Sequence, residues 1–202
     1  MHYRILPFLM SKQNMEQIRE YFEQLVGISD KDWALFASKL KKNEYPKKSS
    51  ILKVGETESH LSFIEKGAVR LFIPKIENDL TFGFCFQGQF VSAYDSFLSR
   101  QACSYEVETM TSTSLWRISY EDLQFIYANT KVGNTIGRLA AESQFLIKSE
   151  RELSFLEQTA EERYRALFNK RPNLILQIPL KYIASYVGVT PQALSRIRKR
   201  IS

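Results

Sequence analysis

A chain of 202 residues is a little long for one domain and fits two small ones, and a hydrophobic content of 44% is ample for a buried core. No apolar run approaches the roughly 20 residues of a membrane span, and two cysteines, Cys85 and Cys103, make no disulfide framework; both are expected as buried thiols. The net charge of +6 is uneven: residues 160–202 hold nine lysines and arginines against Glu161 and Glu162 alone, so the whole positive excess lies in the C-terminal fifth, as attraction to phosphate requires.

The opening stretch Met1–Met10 lacks a proper apolar signal core and a small-residue cleavage site, so a cytoplasmic, soluble protein is expected. Residues 14–26 predict an amphipathic helix closed by Gly27. Ser29 caps a second, with Asp32 three residues on and Trp33, Phe36 and Leu40 on one face. Residues 41–48 read as a polar connector. From about residue 45 to 118 the apolar period becomes two. Short strands are predicted at 51–54, 61–64, 68–73, 80–86, 105–110 and 115–118, with turns at Gly55, Gly67, 77–79 and Gly88. Phe82, Phe84 and Phe86 alternate with Thr81, Gly83 and Cys85, giving one face of that strand an aromatic character. This spacing suggests a compact β-roll or jelly roll.

Helical spacing returns at Ser119, whose hydroxyl with Asp122 makes a capping box for a short helix through Tyr127. A long helix is predicted from about 130 to 156. Val132, Ile136, Leu139, Ser143, Leu146 and Leu153 keep a coiled-coil-like spacing, broken by Glu150. The alternative is a core helix lying on the roll. A further helix spans about 160–170; Pro172 is read as its end and 173–179 as a lead-in segment.

The last residues carry the most chemistry. Leu180, Ile183, Ala184 and Val187 mark a short helix that Gly188 ends. Val189 is an apolar plug. Thr190 followed by Pro191 is a helix start, a hydroxyl cap and then proline at the first position. The second helix buries Leu194 and Ile197 and turns Gln192, Ser195, Arg196 and Lys199 outward, with no carboxylate in residues 190–202. Such a face can enter a major groove, where arginine pairs with guanine and glutamine with adenine. A basic amphipathic helix can also be only a solvated face; the joint pattern of glycine, Thr-Pro cap and central arginine favours DNA.

The order of parts resembles the Crp/Fnr family of bacterial transcription regulators, and the wording of 82–86 and 189–199 looks closest to its Bacteroidetes branch. The likeness is carried by Gly55-Glu56, residues 63–70, Gly88-Gln89-Phe90-Val91, 118–123 and 183–197. It implies an α+β fold: a jelly-roll-like β-roll sensor domain with N-terminal helices (1–128), a dimerisation helix (129–156) and an all-α helix-turn-helix domain (157–202) without an evident wing. It also implies a homodimer on a palindromic double-stranded operator, no enzyme activity, and RNA polymerase and a small-molecule effector as further candidate partners. Thr190 falls on the capping hydroxyl near a phosphate, and Gln192 and Arg196 on base-reading positions, with Ser195 and Lys199 beside them. Pro191 stands where many members have arginine, so the operator should differ from the best-known one.

By family position the effector pocket falls on Ser92, Ala93, Cys103 and Ser104. Cyclic-nucleotide binders there have a glutamate for the ribose and an arginine for the phosphate; this chain has neither, and Arg100 is offset by several residues. A bidentate phosphate partner is hard to replace, so cyclic AMP is not expected to bind, and any effector is expected to be neutral or apolar. Two cysteines are too few for an iron–sulfur switch, and His2 and His60 are the only histidines; His60 reads as a turn residue, and no cofactor or metal is expected. The competing readings are a cupin-like enzyme, which would need a histidine cluster, and a β-roll interaction module, which would not need the pattern at 190–200.

Overall fold

A computed structural model describes residues 15–201; the readings made at Met1–Met10, His2, Asn14 and Ser202 lie outside the described residues. Helices α1 (Glu16–Leu25) and α2 (Asp30–Ala37) are separated by Gly27, whose φ of +67° makes the turn, and Ser29 accepts the Asp32 N–H at 3.1 Å. The Asp32 carboxylate does not close a capping box; it accepts the Lys131 N–H at 3.1 Å and ties α2 to the segment before the long helix.

Eight strands follow: β1 (Lys41–Tyr45), β2 (Ser50–Leu52), β3 (His60–Lys66), β4 (Ala68–Ile73), β5 (Leu80–Phe86), β6 (Phe90–Val91), β7 (Glu106–Thr109) and β8 (Thr113–Ser119). They form two four-stranded antiparallel sheets, β1-β8-β3-β6 and β2-β7-β4-β5. Ile64, Val69, Leu71, Val91, Val107 and Leu115 fill the space between them, as inward-facing residues of a roll should. Residues 41–45 are not a connector but an edge strand paired with β8, and the exposed charges that disguise it are those that keep a sheet edge from pairing further. His60 is not a turn residue; it begins β3, opposite Ser119.

Strand β5 also departs from simple alternation. Leu71 pairs with Gly83 but Phe72 pairs with Thr81, so Phe82 is the extra residue of a bulge. The bulge turns Phe82 inward, edge-on to Tyr105 at 4.8 Å between centroids, while Phe84 and Phe86 pack outward against the C-terminal helices. The three phenylalanines therefore do not share one face.

Helix α3 (Tyr94–Ser99), unmarked in the sequence, crosses between β6 and β7, and α4 (Tyr120–Asn129) starts at Ser119, which accepts the Asp122 N–H. With α1 and α2 they close the end of the roll around Phe22, Phe36, Phe63, Phe97, Ile118 and Ile126. The long helix α5 (Gly133–Glu157) leaves from there. A Cβ on Gly137 would lie 2.8 Å from the Tyr127 ring, so glycine permits the close approach of α5 to α4. The seam is used unevenly: Val132 and Ile136 pack on the roll of their own chain, whereas Leu146 and Leu153, with Phe145 and Leu156, lie exposed along the rest of α5.

Helix α6 (Ala160–Lys170) carries a full capping box between Thr159 and Glu162. Residues 173–179 are not all lead-in: α7 (Pro172–Gln177) opens with Pro172 at its first turn, where proline's missing N–H has no intrahelical partner to lose. Helices α8 (Leu180–Val187) and α9 (Pro191–Ile201) complete the described chain. No helix among the described residues is long and apolar enough to cross a membrane.

Candidate nucleic-acid interface

Helices α8 and α9 meet at Gly188, which has φ +87° and donates its N–H to the carbonyls of Ala184 and Ser185. The next N–H, of Val189, also goes back to Ala184, so the chain reverses within one residue. The last carbonyls of α8 would otherwise be orphans. Arg151 of α5 donates to the Tyr186 carbonyl and Arg163 of α6 to that of Val187, each at 3.0 Å. Positive charge is favoured at that end of a helix. Both guanidinium groups lie over the Phe155 ring, 4.7 and 4.4 Å from its centroid. Nothing in the spacing of Arg151, Phe155 and Arg163 announces this clamp, because it is made across three elements.

Thr190 accepts the Ala193 N–H at 3.2 Å and caps α9. Leu194 and Ile197 are buried among Tyr164, Leu167, Leu174 and Ile183, which fixes the rotation of α9 about its axis. That rotation leaves Gln192, Ser195, Arg196 and Lys199 exposed together on the outer side. Arg200 is engaged from outside the helix: it pairs with Glu161 of α6 at 2.9 Å. The hydrogen bond from Arg165, with the charge of Arg200, holds the Glu161 carboxyl below its ordinary range. A share of the cationic run is therefore neutralised by a residue about forty positions away, and Arg196 and Lys199 carry the outward charge.

Of the family-position pocket residues, Ala93 and Cys103 are buried, whereas Ser92 is half-buried and Ser104 exposed. Ala93 and Cys103 lie together in the packed interior of the roll, with the Cys103 thiol donating to the Tyr105 carbonyl. Ser92 donates its hydroxyl to the His60 carbonyl at 2.9 Å, and Ser104 is exposed. The Tyr105 hydroxyl donates to Asp95, and its ring meets Phe82 inside the roll. Arg100 is spoken for: it donates to the carbonyls of Glu58, at 2.6 Å, and Phe97, and stacks over Tyr120 at 4.6 Å. The buried Glu58 carboxylate sits 3.6 Å from Arg117, and burial raises its pKa above the usual carboxylate range. Cys103 is buried and Cys85 only partly so; burial pushes the Cys85 thiol up to about 11 and lifts that of Cys103 as well, so both rest as thiols near neutrality.

Residues 42–130 match the family described as cyclic nucleotide-binding domain. A search of curated proteins finds no match. Among solved structures, the c-di-GMP responsive global regulator CLP of Xanthomonas campestris superposes with a TM-score of 0.65 at 18% identity, over 86% of this chain and 91% of that one. FixK2 from Bradyrhizobium japonicum gives 0.70 at 16% identity, over 80% and 84%. A putative transcriptional regulator of the Crp/Fnr family from Eubacterium rectale gives 0.68 at 15% identity, over 90% and 87%. The chain thus has the fold of the Crp/Fnr regulators: a cyclic-nucleotide-binding-type roll, a long helix, and a cluster of short helices after it.

Proposed function

We propose that the chain is a sequence-specific DNA-binding transcription regulator of the Crp/Fnr type, acting as a homodimer and not as an enzyme. The observation that carries this reading is the α8–α9 pair. It has a left-handed glycine turn, a threonine-capped second helix, and Gln192, Ser195, Arg196 and Lys199 exposed on one side of that helix. In this reading α8–α9 is a helix-turn-helix and α9 lies in a major groove, with Arg196 and Gln192 on base edges and Thr190, Ser195 and Lys199 near phosphates or flanking bases. The exposed apolar side chains of α5 supply the surface for a second copy, and two copies read a palindromic operator in the cytoplasm. The finer placing in the Bacteroidetes branch rests on wording in the sequence alone.

In this reading the roll interior takes no cyclic nucleotide phosphate, which two features favour. Tyr105 and Phe82 occupy it with Ala93 and Cys103, and Arg100 is committed to backbone carbonyls. The effector site is vestigial or takes a neutral or apolar molecule, with no cofactor. RNA polymerase is the further partner that a regulator of this kind meets. An electrophoretic shift with the promoter region of the protein's own gene tests the reading. A discrete complex that resists excess unrelated duplex supports it; binding that any duplex competes away equally refutes it.

A further inference from the structure

Strand β5 is one of the two edges of the sheet β2-β7-β4-β5. An open edge leaves backbone N–H and C=O groups without partners, and here the side chains of Ser185 and Arg171 take two of them. Thr81 N–H donates to Ser185 Oγ at 2.8 Å, and Ser185 Oγ–H donates to the Asp79 carbonyl at 2.6 Å. Arg171 donates to the Phe84 carbonyl at 2.6 Å and to the Tyr186 hydroxyl at 2.8 Å. A serine inside a helix commonly turns its hydroxyl back to a carbonyl one turn earlier. Ser185 instead serves the Thr81 N–H of β5 and the carbonyl of Asp79 just before it, two residues apart, as one residue of a neighbouring strand would.

The contact sets an orientation because α8 is held from two sides. The Tyr186 ring packs on Phe84 of the roll, and its carbonyl is held by Arg151 of α5. Helix α9 is locked to α8 through Leu194 and Ile197. We propose that Ser185 and Arg171 are positioning residues. By completing the edge of β5 they fix α9 relative to α5, so the separation of the two α9 helices in a dimer is set by the fold without a bound small molecule. This rests on the DNA-binding reading above.

The test uses the full chain and an operator selected by the wild type from random duplexes. Wild type, Ser185→Ala, Ser185→Thr and the pair Ser185→Ala with Arg171→Ala are compared on three duplexes: that operator, a version with the half-sites moved apart by about five base pairs, half a turn, and a single half-site. The double variant, which loses all four of these hydrogen bonds, is expected to lose at least about tenfold of the preference for the natural spacing, while its affinity for the single half-site stays within about twofold. The Thr81 amide should exchange faster in Ser185→Ala and recover protection in Ser185→Thr. Spacing preference unchanged in both alanine variants, or an unchanged Thr81 amide, overturns the proposal. A wild type that selects no operator overturns the DNA-binding reading instead. Where the double variant does not fold, Ser185→Ala alone decides by the same two readings.

Discussion

Replacing Gly188 by alanine tests the junction between α8 and α9 where two separate penalties meet. The residue sits at φ +87°, and a Cβ built on it lies 2.7 Å from a ring carbon of Phe155. The left-handed backbone costs an L-residue about 1–2 kcal/mol. Overpacking by a methyl typically costs about 1–3 kcal/mol; Phe155 is 39% exposed, which puts this share in the lower half. The expected loss is therefore roughly 2–4 kcal/mol. Urea unfolding followed by circular dichroism measures it, at one fixed protein concentration because a dimer's stability depends on it. Phe155→Ala supplies the second arm of a double-mutant cycle: in that background Gly188→Ala should cost only the backbone share, about 1–2 kcal/mol. A loss below about 0.5 kcal/mol would falsify the backbone argument. An equal loss in both backgrounds would remove the ring from the account.

Leu146→Glu should convert the protein to monomer in sedimentation and abolish binding to a two-half-site operator, since Leu146 is exposed on α5 and a charge in a desolvated interface is costly. Ile136→Glu is the contrast: it should lower stability first, because Ile136 packs on its own roll, and a dimer that survives Leu146→Glu means the second copy sits elsewhere. Arg196→Ala should lose about 1–3 kcal/mol of base discrimination while keeping part of the salt-sensitive non-specific binding; unchanged selectivity in a competition titration rules Arg196 out as a base reader. Cyclic AMP and cyclic GMP should give no saturable heat in titration calorimetry at millimolar concentration. A micromolar constant would show that Arg100 leaves its carbonyl partners for a phosphate.

The sequence announced most of these elements through punctuation. Gly27, Ser29, Ser119, Gly188 and the Thr190-Pro191 pair each mark a turn or cap by a local rule, and each stands where that rule puts it. The misses have their own causes. Strand β1 is charged because it is an edge, so it lacks the alternation that betrays other strands. Pro172 can end one helix or open the next, and only packing of Leu174 into the C-terminal core decides for the second. The bulge at Phe82 is invisible to an alternating pattern because one inserted residue leaves the composition unchanged. At the candidate interface the exposed face of α9 was legible from helical spacing. The clamp by Arg151 and Arg163, the pairing of Arg200 with Glu161, and the docking of Ser185 on β5 were not, since each joins residues distant in the chain.

The outward turn of Phe84 and Phe86 bears on how the chain can come apart. These two rings, with Ala68 and Met110 from the roll, lie in the same apolar cluster as Leu174, Ile183 and Leu194. A roll cut free after α5 would show water a greasy patch beside an unpaired strand edge, the combination that drives chains to stick to one another. The C-terminal helices, freed in turn, would lose one wall of their core. Roll and helices should therefore melt as a single cooperative unit, with coincident transitions by different probes, and exchanging either half for that of a relative means redesigning the seam at β5 as well.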